Sequence, residues 1–193
     1  MNPIKNMDND PAIRLAKQRI RNVIAQSRVP EDAGHAENTR TWVLRIDPDA
    51  DVALRLAALA HDIERARPKP LKRQDFEDYD VFKAEHAALG ATITDTLLAE
   101  LNVNAAIRQS VRHMIAQHEH GGDQRSDLLK DADSLSYFDH NLPFYYQREG
   151  WAETLRRARW GYQRLSPRAR SLYHHIRHPA SELQRLMQEA STA

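Results

Sequence analysis

Cysteine is absent from this chain of 193 residues. Its absence excludes disulfide bonds and thiolate metal ligands, so any metal must be bound through nitrogen and oxygen. Glycine and proline are also scarce, with 6 and 9 residues, and helix breakers are correspondingly few. No apolar run approaches the roughly 20 residues that a membrane-spanning helix needs. We therefore expect a chain rich in helices, without disulfides and without membrane spans.

An excess of charge of either sign is missing as well. Lys and Arg number 28 and Asp and Glu 27, which leaves a net charge of +1. This balance gives no reason to expect specific binding of nucleic acid, which usually requires a basic surface. Residues 1–8 lack the apolar segment of a secretory signal. The absence of cysteine fits a cytoplasmic location, which we expect for this protein. The length fits one domain, residues 1–193, that can bury a substantial core.

The segments between the few breakers have the composition and the spacing of helices. Start and stop signals predict helices over about 11–27, 35–46, 50–67, 80–101 and 104–119, a sixth containing 128–138, and two more over 151–165 and 167–187. We expect the polar connection 68–78 to be a mobile loop over a site. No alternation typical of strands is present. The sequence therefore predicts an all-α fold.

Histidine, by contrast, is abundant in this chain, with 10 residues. Residues three and four apart share one face of a helix, and this phase sorts the histidines. His86 and His118 share the apolar faces of their helices, whereas His113 and His120 fall outside such a face. A single inward histidine commonly bonds to a backbone carbonyl. Inward histidines and aspartates on successive helices point instead to a metal site, because buried carboxylates need a counterion.

The His61-Asp62 pair lies at the predicted end of an apolar helix. Adjacent residues are about 100° apart around a helix, but at a helix end their side chains can converge on one ion. Together with His35 and Asp133 they form a predicted set of four ligands. Imidazole and carboxylate suit Mn, Fe, Co, Ni or Zn. Four ligands with open positions for water and substrate are typical of a catalytic metal site.

In this pattern the chain resembles the HD-domain superfamily of metal-dependent phosphohydrolases. The resemblance rests on His35, on His61-Asp62 within Leu-Ala-His-Asp-Ile, and on Asp133 within Asp-Ala-Asp-Ser-Leu. It covers about residues 33–138, which would form the bundle common to the superfamily, and leaves about 143–190 as a helical extension at the C-terminal end. It implies that His35, His61, Asp62 and Asp133 bind metal. His86 and His118 resemble the additional histidines of members that hold two ions.

The chain departs from the pattern of the superfamily after His61-Asp62-Ile63, where Glu64-Arg65 replaces the common Gly-Lys. Arg65 keeps a positive charge that can bind phosphate, while Glu64 is a candidate proton donor or a partner of Arg67. Candidate catalytic residues are thus Asp62, Glu64 and Arg65. Lys83 and Lys130 each lie three positions before a ligand on the same helix side. They join Arg65 as candidate contacts to the substrate, although either lysine also fits a solvated surface.

The function that the resemblance implies is hydrolysis of a nucleotide or another small phosphate ester, with one or two divalent transition-metal ions as cofactor. Two alternatives stay open. A di-iron oxygenase of the HD type would use the same six ligands, and a non-catalytic module that senses nucleotides would keep the fold. The aromatic residues after Pro143 fit packing of the C-terminal helices or a wall for a nucleobase. The arginines there fit a solvated face or the rim of a homo-oligomer rather than a surface that binds RNA.

Overall fold

The structure, a computed structural model, describes residues 7–192, and within that range it contains helices and no strand. The predicted all-α fold is confirmed. The helices are α1 (Pro11–Ile24), α2 (Asp32–Ile46), α3 (Val52–Ala60), α4 (Tyr79–Glu100), α5 (Ala105–Gln117), α6 (Gln124–Ser136), α7 (Leu142–Arg164), α8 (Pro167–Tyr173) and α9 (Ser181–Ser191). Among these described residues no helix is both long and apolar enough to cross a membrane.

Helix α3 lies at the centre of the bundle. Eight of its nine residues are buried, and α1, α2, α5 and α6 all pack against it. A helix that is apolar all round is stable only when it is surrounded in this way. Asp51 begins the helix by accepting a hydrogen bond from the Leu54 amide at 3.0 Å. The His61-Asp62 pair therefore follows directly from the most buried helix of the molecule.

Helix α4 approaches the end of α3 closely. A Cβ atom on Gly90 would lie 3.2 Å from the His61 carbonyl oxygen, so a side chain at this position would push the two helices apart. Glycine thus permits the approach that brings His86, one turn earlier on α4, to the end of α3. α4 also packs along α5, which ends beside it at Gln117.

The C-terminal helices cover one side of this bundle, with α7 packed on α6 and α9, and α8 on α6. A π-helical turn, Tyr137–Asn141, joins α6 directly to α7. Helix α7 is bent at Gly150, whose φ of 74° and ψ of −176° favour glycine. The helix predicted from Trp151 corresponds to the part of α7 after this bend, and the prediction missed the helical part before it, which begins at Leu142 with Pro143 in its first turn.

Three other predicted boundaries differ. α2 begins at Asp32 rather than His35, so His35 is held within its first turn. α3 ends at Ala60, and the 3-10 turn Ile63–Ala66 follows instead of a continuous helix. The single last helix predicted over 167–187 was wrong: it is divided into α8 and α9 before and after Pro179, which lacks an N–H and disfavours helix in the residue before it.

Candidate metal centre

The side chains of His61 and Asp62 converge because helix α3 ends at this pair of residues. His61 is the last residue with helical dihedral angles, and Asp62 has φ −98° and ψ 15°, which turns the chain into the 3-10 segment. His61 Nε2 and Asp62 Oδ2 lie 3.6 Å apart. The two side chains thus face the same space although they are adjacent in sequence.

His35 of α2 and Asp133 of α6 reach the same space from the other side. His35 Nε2 lies 3.2 Å from His61 Nε2, 3.0 Å from Asp133 Oδ1 and 3.9 Å from Asp62 Oδ2. His61 Nε2 is 3.5 Å from Asp133 Oδ1. The structure therefore brings together all four residues of the predicted first ligand set.

The two later histidines complete a second group around the same aspartate. Asp62 Oδ1 lies 2.9 Å from His86 Nε2, and ligand atoms of Asp62, His86 and His118 all lie within 4.8 Å of one another. His35, His61 and Asp62 meet the same criterion. Asp62 is common to both groups, with Oδ2 toward His35 and His61 and Oδ1 toward His86. Such a shared carboxylate fits two neighbouring ions.

Each of the four histidines is fixed through its Nδ1 atom. The partners are Ser136 Oγ for His35 (2.9 Å), Ala58 O for His61 (2.9 Å), Glu64 Oε2 for His86 (2.9 Å) and Ile115 O for His118 (2.7 Å). Carbonyl and carboxylate oxygens only accept, so three Nδ1 atoms donate. Ser136 Oγ donates to His35 O at 3.2 Å and is therefore free to accept from His35 Nδ1. In the neutral form of each imidazole, Nε2 therefore carries the lone pair that could bind a metal, the arrangement found around metal-bound histidines.

The charges of the site favour a bound cation. Burial by itself lowers the pKa of His61 and of His86, but Asp62 and the neighbouring carboxylates raise it, to about 9 for His61 and to about 10 for His86. The pKa values of Asp62 and Asp133 are held well below their ordinary range despite burial, because His61, Arg65 and His86 stabilise the Asp62 carboxylate. His35 and His61 stabilise that of Asp133. Burial lowers the pKa of His118, which keeps its imidazole neutral. Four imidazole nitrogens and two carboxylates form a donor set that fits a first-row transition metal.

Glu64 positions His86 and is poorly suited to donate a proton. Its Oε1 accepts from the Leu71 amide at 2.8 Å and its Oε2 from His86 Nδ1 at 2.9 Å. These hydrogen bonds lower its pKa against the opposing effect of burial, so the carboxylate is ionised and has no proton to give. The predicted pair with Arg67 is present but longer, at 3.7 Å. Of the two roles left open for Glu64, this geometry disfavours the proton donor, and the pair with Arg67 is accompanied by a role that the sequence did not predict, the anchoring of His86.

Arg65 faces the site, as expected, but its charge is already engaged. Its guanidinium lies 2.9 Å from Asp62 Oδ2 and 3.2 Å from Asp32 Oδ1. Asp32 is 2% exposed, so Arg65 neutralises a buried carboxylate as well as a ligand. Arg65 is one third exposed and lines the adjoining cavity, where it can also contact a substrate.

A cavity of about 390 Å³ opens beside the ligands. Its wall includes His35, Asp62, His86 and Asp133, four cationic residues (Arg28, Arg65, Lys83 and Arg157) and three aromatic ones (Tyr79, Phe82 and Tyr137). Pro70 and Leu71 also line it, so the connection predicted to lie over a site does so. Lys83 is where the sequence placed it, but Lys130 is not in this wall. Its Nζ instead contacts His120 O and Asp127 Oδ1, each at 3.3 Å.

Several residues of the wall were not among the predicted site residues. Arg157 belongs to the C-terminal arginines that the sequence placed on a solvated face or an oligomer rim, and the structure corrects this for Arg157. Tyr79 precedes His86 by seven positions and Phe82 by four, so helical phase could have identified both. Glu119 and Tyr137 also line the cavity. No feature of the sequence distinguishes Arg157 from its neighbouring arginines.

Residues 8–187 match the family model described as "Domain of unknown function (DUF4202)". The match covers most of the chain, which therefore belongs to this family. No curated protein and no solved structure matches the chain.

Proposed function

We propose that this protein is a metal-dependent phosphohydrolase of the HD-domain superfamily that acts on a nucleotide or another small phosphate ester. One observation carries the proposal: four buried histidines, each fixed at Nδ1, direct Nε2 toward two carboxylates beside a cavity. The order of these ligands along the chain is that of the superfamily. The cavity adds a wall of cationic and aromatic side chains that suits a phosphorylated substrate.

A divalent ion bound here would act as a Lewis acid and would lower the pKa of a bound water. The chain's own residues contribute the remaining functions. The hydrogen bonds at Nδ1 fix the orientation of the four histidines. Asp62 belongs to both groups of ligands and would help to hold either one ion or two. Arg65 and Lys83 supply positive charge that can stabilise the phosphoryl group as it is transferred.

The aromatic residues of the wall fit the organic part of such a substrate. Tyr79 and Phe82 stack with their ring centres 6.1 Å apart, and the Phe82 ring lies 6.2 Å from that of His86. This places flat apolar surface beside the ligands. A planar group such as a nucleobase can pack there, with its phosphate toward Arg65 and the metal ligands.

A di-iron oxygenase is the second candidate, and the shared Asp62 favours it, because a bridging carboxylate would equally suit two iron ions. The cationic wall is the reason to prefer the phosphohydrolase. A module that binds nucleotides without turning them over would leave the complete set of ligands without a use.

A panel of phosphate esters and nucleotides, supplied with manganese, cobalt, nickel or iron, with and without oxygen, separates these candidates. Phosphate release that does not require oxygen supports the phosphohydrolase. Oxygen uptake without phosphate release would assign the protein to the oxygenases. Tight binding of a nucleotide without either reaction would identify a sensing module.

A further inference from the structure

Arg157 of α7 differs from Arg65 and Lys83, two other cations of the cavity wall, in having no carboxylate partner among residues 7–192. Arg65 contacts Asp62 and Asp32, and Lys83 lies 3.1 Å from Asp80. Within residues 7–192, no carboxylate lies within ion-pair distance of Arg157, whose one hydrogen bond there goes to Tyr79 Oη at 3.4 Å. A guanidinium has five N–H donors in a planar fork, so most of those of Arg157 have no protein acceptor.

Aromatic rings fix the position of this guanidinium. Its Cζ atom lies 5.2 Å from the ring centre of Tyr137, 5.6 Å from that of Tyr145 and 5.7 Å from that of Trp160. Rings hold a cation without neutralising its charge or occupying its in-plane donors. Arg157 is thus oriented in advance while its hydrogen-bonding capacity remains for a ligand in the cavity.

Lys83 brings a second positive charge to one of these rings, that of Trp160. Its Nζ lies 5.3 Å from the centre of Tyr79 and 5.2 Å from that of Trp160, which it shares with Arg157. Lys83 is 6% exposed, whereas its one carboxylate partner, Asp80, is largely exposed to solvent. Arg164 also lies over this indole, with its Cζ 4.4 Å from the ring centre, but it pairs with Glu119 at 3.3 Å. The charges of Lys83 and Arg157 repel each other unless an anion lies between or beside them.

Two buried polar atoms in this wall also lack a partner. Tyr137 Oη and Asn141 Oδ1 make no hydrogen bond with the described residues, and Asn141 is 9% exposed. Both residues line the cavity that Arg157 lines. Buried polar atoms without partners are rare in folded proteins and commonly mark the place of a polar ligand or bound water.

We propose that Arg157 and Lys83 form a subsite that binds an oxyanion of the substrate, and that Arg157 selects anionic substrates over neutral analogues. The oxyanion is the phosphate or a carboxylate of a small molecule. The subsite rests on the proposed function only in taking this cavity as the place where substrate binds.

Binding of inorganic sulfate and of acetate to the purified full-length protein, measured by calorimetry, tests the subsite without any turnover. Sulfate represents the tetrahedral phosphate and acetate the planar carboxylate. The anion whose affinity falls more in the Arg157→Gln variant shows whether the subsite binds a phosphate or a carboxylate. The Arg157→Gln variant should bind that anion about tenfold more weakly, since a charge-assisted hydrogen bond is lost. The matched control is Arg156→Gln, whose side chain is exposed and paired with Glu153, and it should bind as wild type does.

Equal affinity in wild type and a folded Arg157→Gln variant would overturn the proposal, as would an equal loss in Arg156→Gln or an absence of binding to the wild type. Should Arg157→Gln fail to fold, Lys83→Gln decides: affinity should fall about threefold or more, and unchanged affinity refutes the subsite. Tryptophan emission locates the anion, because Trp160 contacts both cations. An anion-dependent change in emission that persists in Trp160→Phe would place the anion elsewhere.

Discussion

The Glu64→Gln variant tests whether the anchors of the histidines matter for metal binding. Glu64 is 1% exposed and uses both oxygens as acceptors, one for the Leu71 amide and one for His86 Nδ1. Glutamine has almost the same shape but one acceptor and one donor. One of the two contacts must therefore become a clash between donors, or His86 must shift its proton to Nε2, where it blocks ligation.

The expected size of this effect follows from the position of Glu64 behind a ligand. Loss of such a supporting contact typically weakens metal affinity about 10- to 100-fold, which corresponds to about 1.4–2.7 kcal/mol. An unsatisfied buried donor should also lower the free energy of unfolding by about 1–3 kcal/mol. Competition with a chelating dye measures the first quantity, and urea denaturation of the metal-free protein measures the second.

Arg67→Gln is the matched control for this variant. It removes the longer and more exposed contact of Glu64, at 3.7 Å, and leaves both buried hydrogen bonds in place. Its metal affinity should stay within about threefold of wild type, because exposed ion pairs contribute little. Folded Glu64→Gln protein that binds every equivalent of metal as tightly as wild type would contradict this role of Glu64, as would an equal loss of affinity in Arg67→Gln.

Three further outcomes are expected. In the metal-free protein, the stability that His61 and His86 contribute is complete below pH 6.5 and is lost as pH rises through their pKa values of about 9 and about 10. Because a metal binds the deprotonated imidazoles, added manganese should raise the melting temperature more at pH 9 than at pH 6.5, which thermal melts measure. Arg65→Gln should lower kcat/KM for any phosphate ester turned over by about tenfold or more, whereas Lys130→Gln, outside the cavity, should leave it unchanged. Gly150→Ala should lower the free energy of unfolding by about 1–3 kcal/mol in denaturant titrations, since φ is 74° there.

The helices and the selection of histidines could be predicted because both depend on local periodicity. Phase placed His118 inward, and the structure has it 1% exposed, while His113 and His120 are exposed. The same reasoning placed His86 on a buried face, where it is found at 5% exposure. Convergence of His61 and Asp62 could be expected from the end of an apolar helix, although the 3-10 turn that produces it could not.

Contacts between distant segments could not be predicted in this way. Lys83 and Lys130 occupy the same position relative to a ligand, yet the tertiary fold brings only Lys83 to the cavity. The role of Ser136 as the anchor of His35 joins residues 101 positions apart. Arg157 reaches the cavity because a π-helical turn and the bend at Gly150 set the course of α7. These features depend on packing that no local pattern records.

Metal analysis of the purified protein tests the central claim most directly. Wild type, His61→Ala, Asp62→Ala and the control His113→Ala, whose histidine is exposed and bonded to Asp123, are compared after dialysis by elemental analysis. We expect one or two equivalents of a transition metal in wild type and in His113→Ala, and a loss of most of it in the other two. Full occupancy in folded His61→Ala and Asp62→Ala would contradict the assignment of this site.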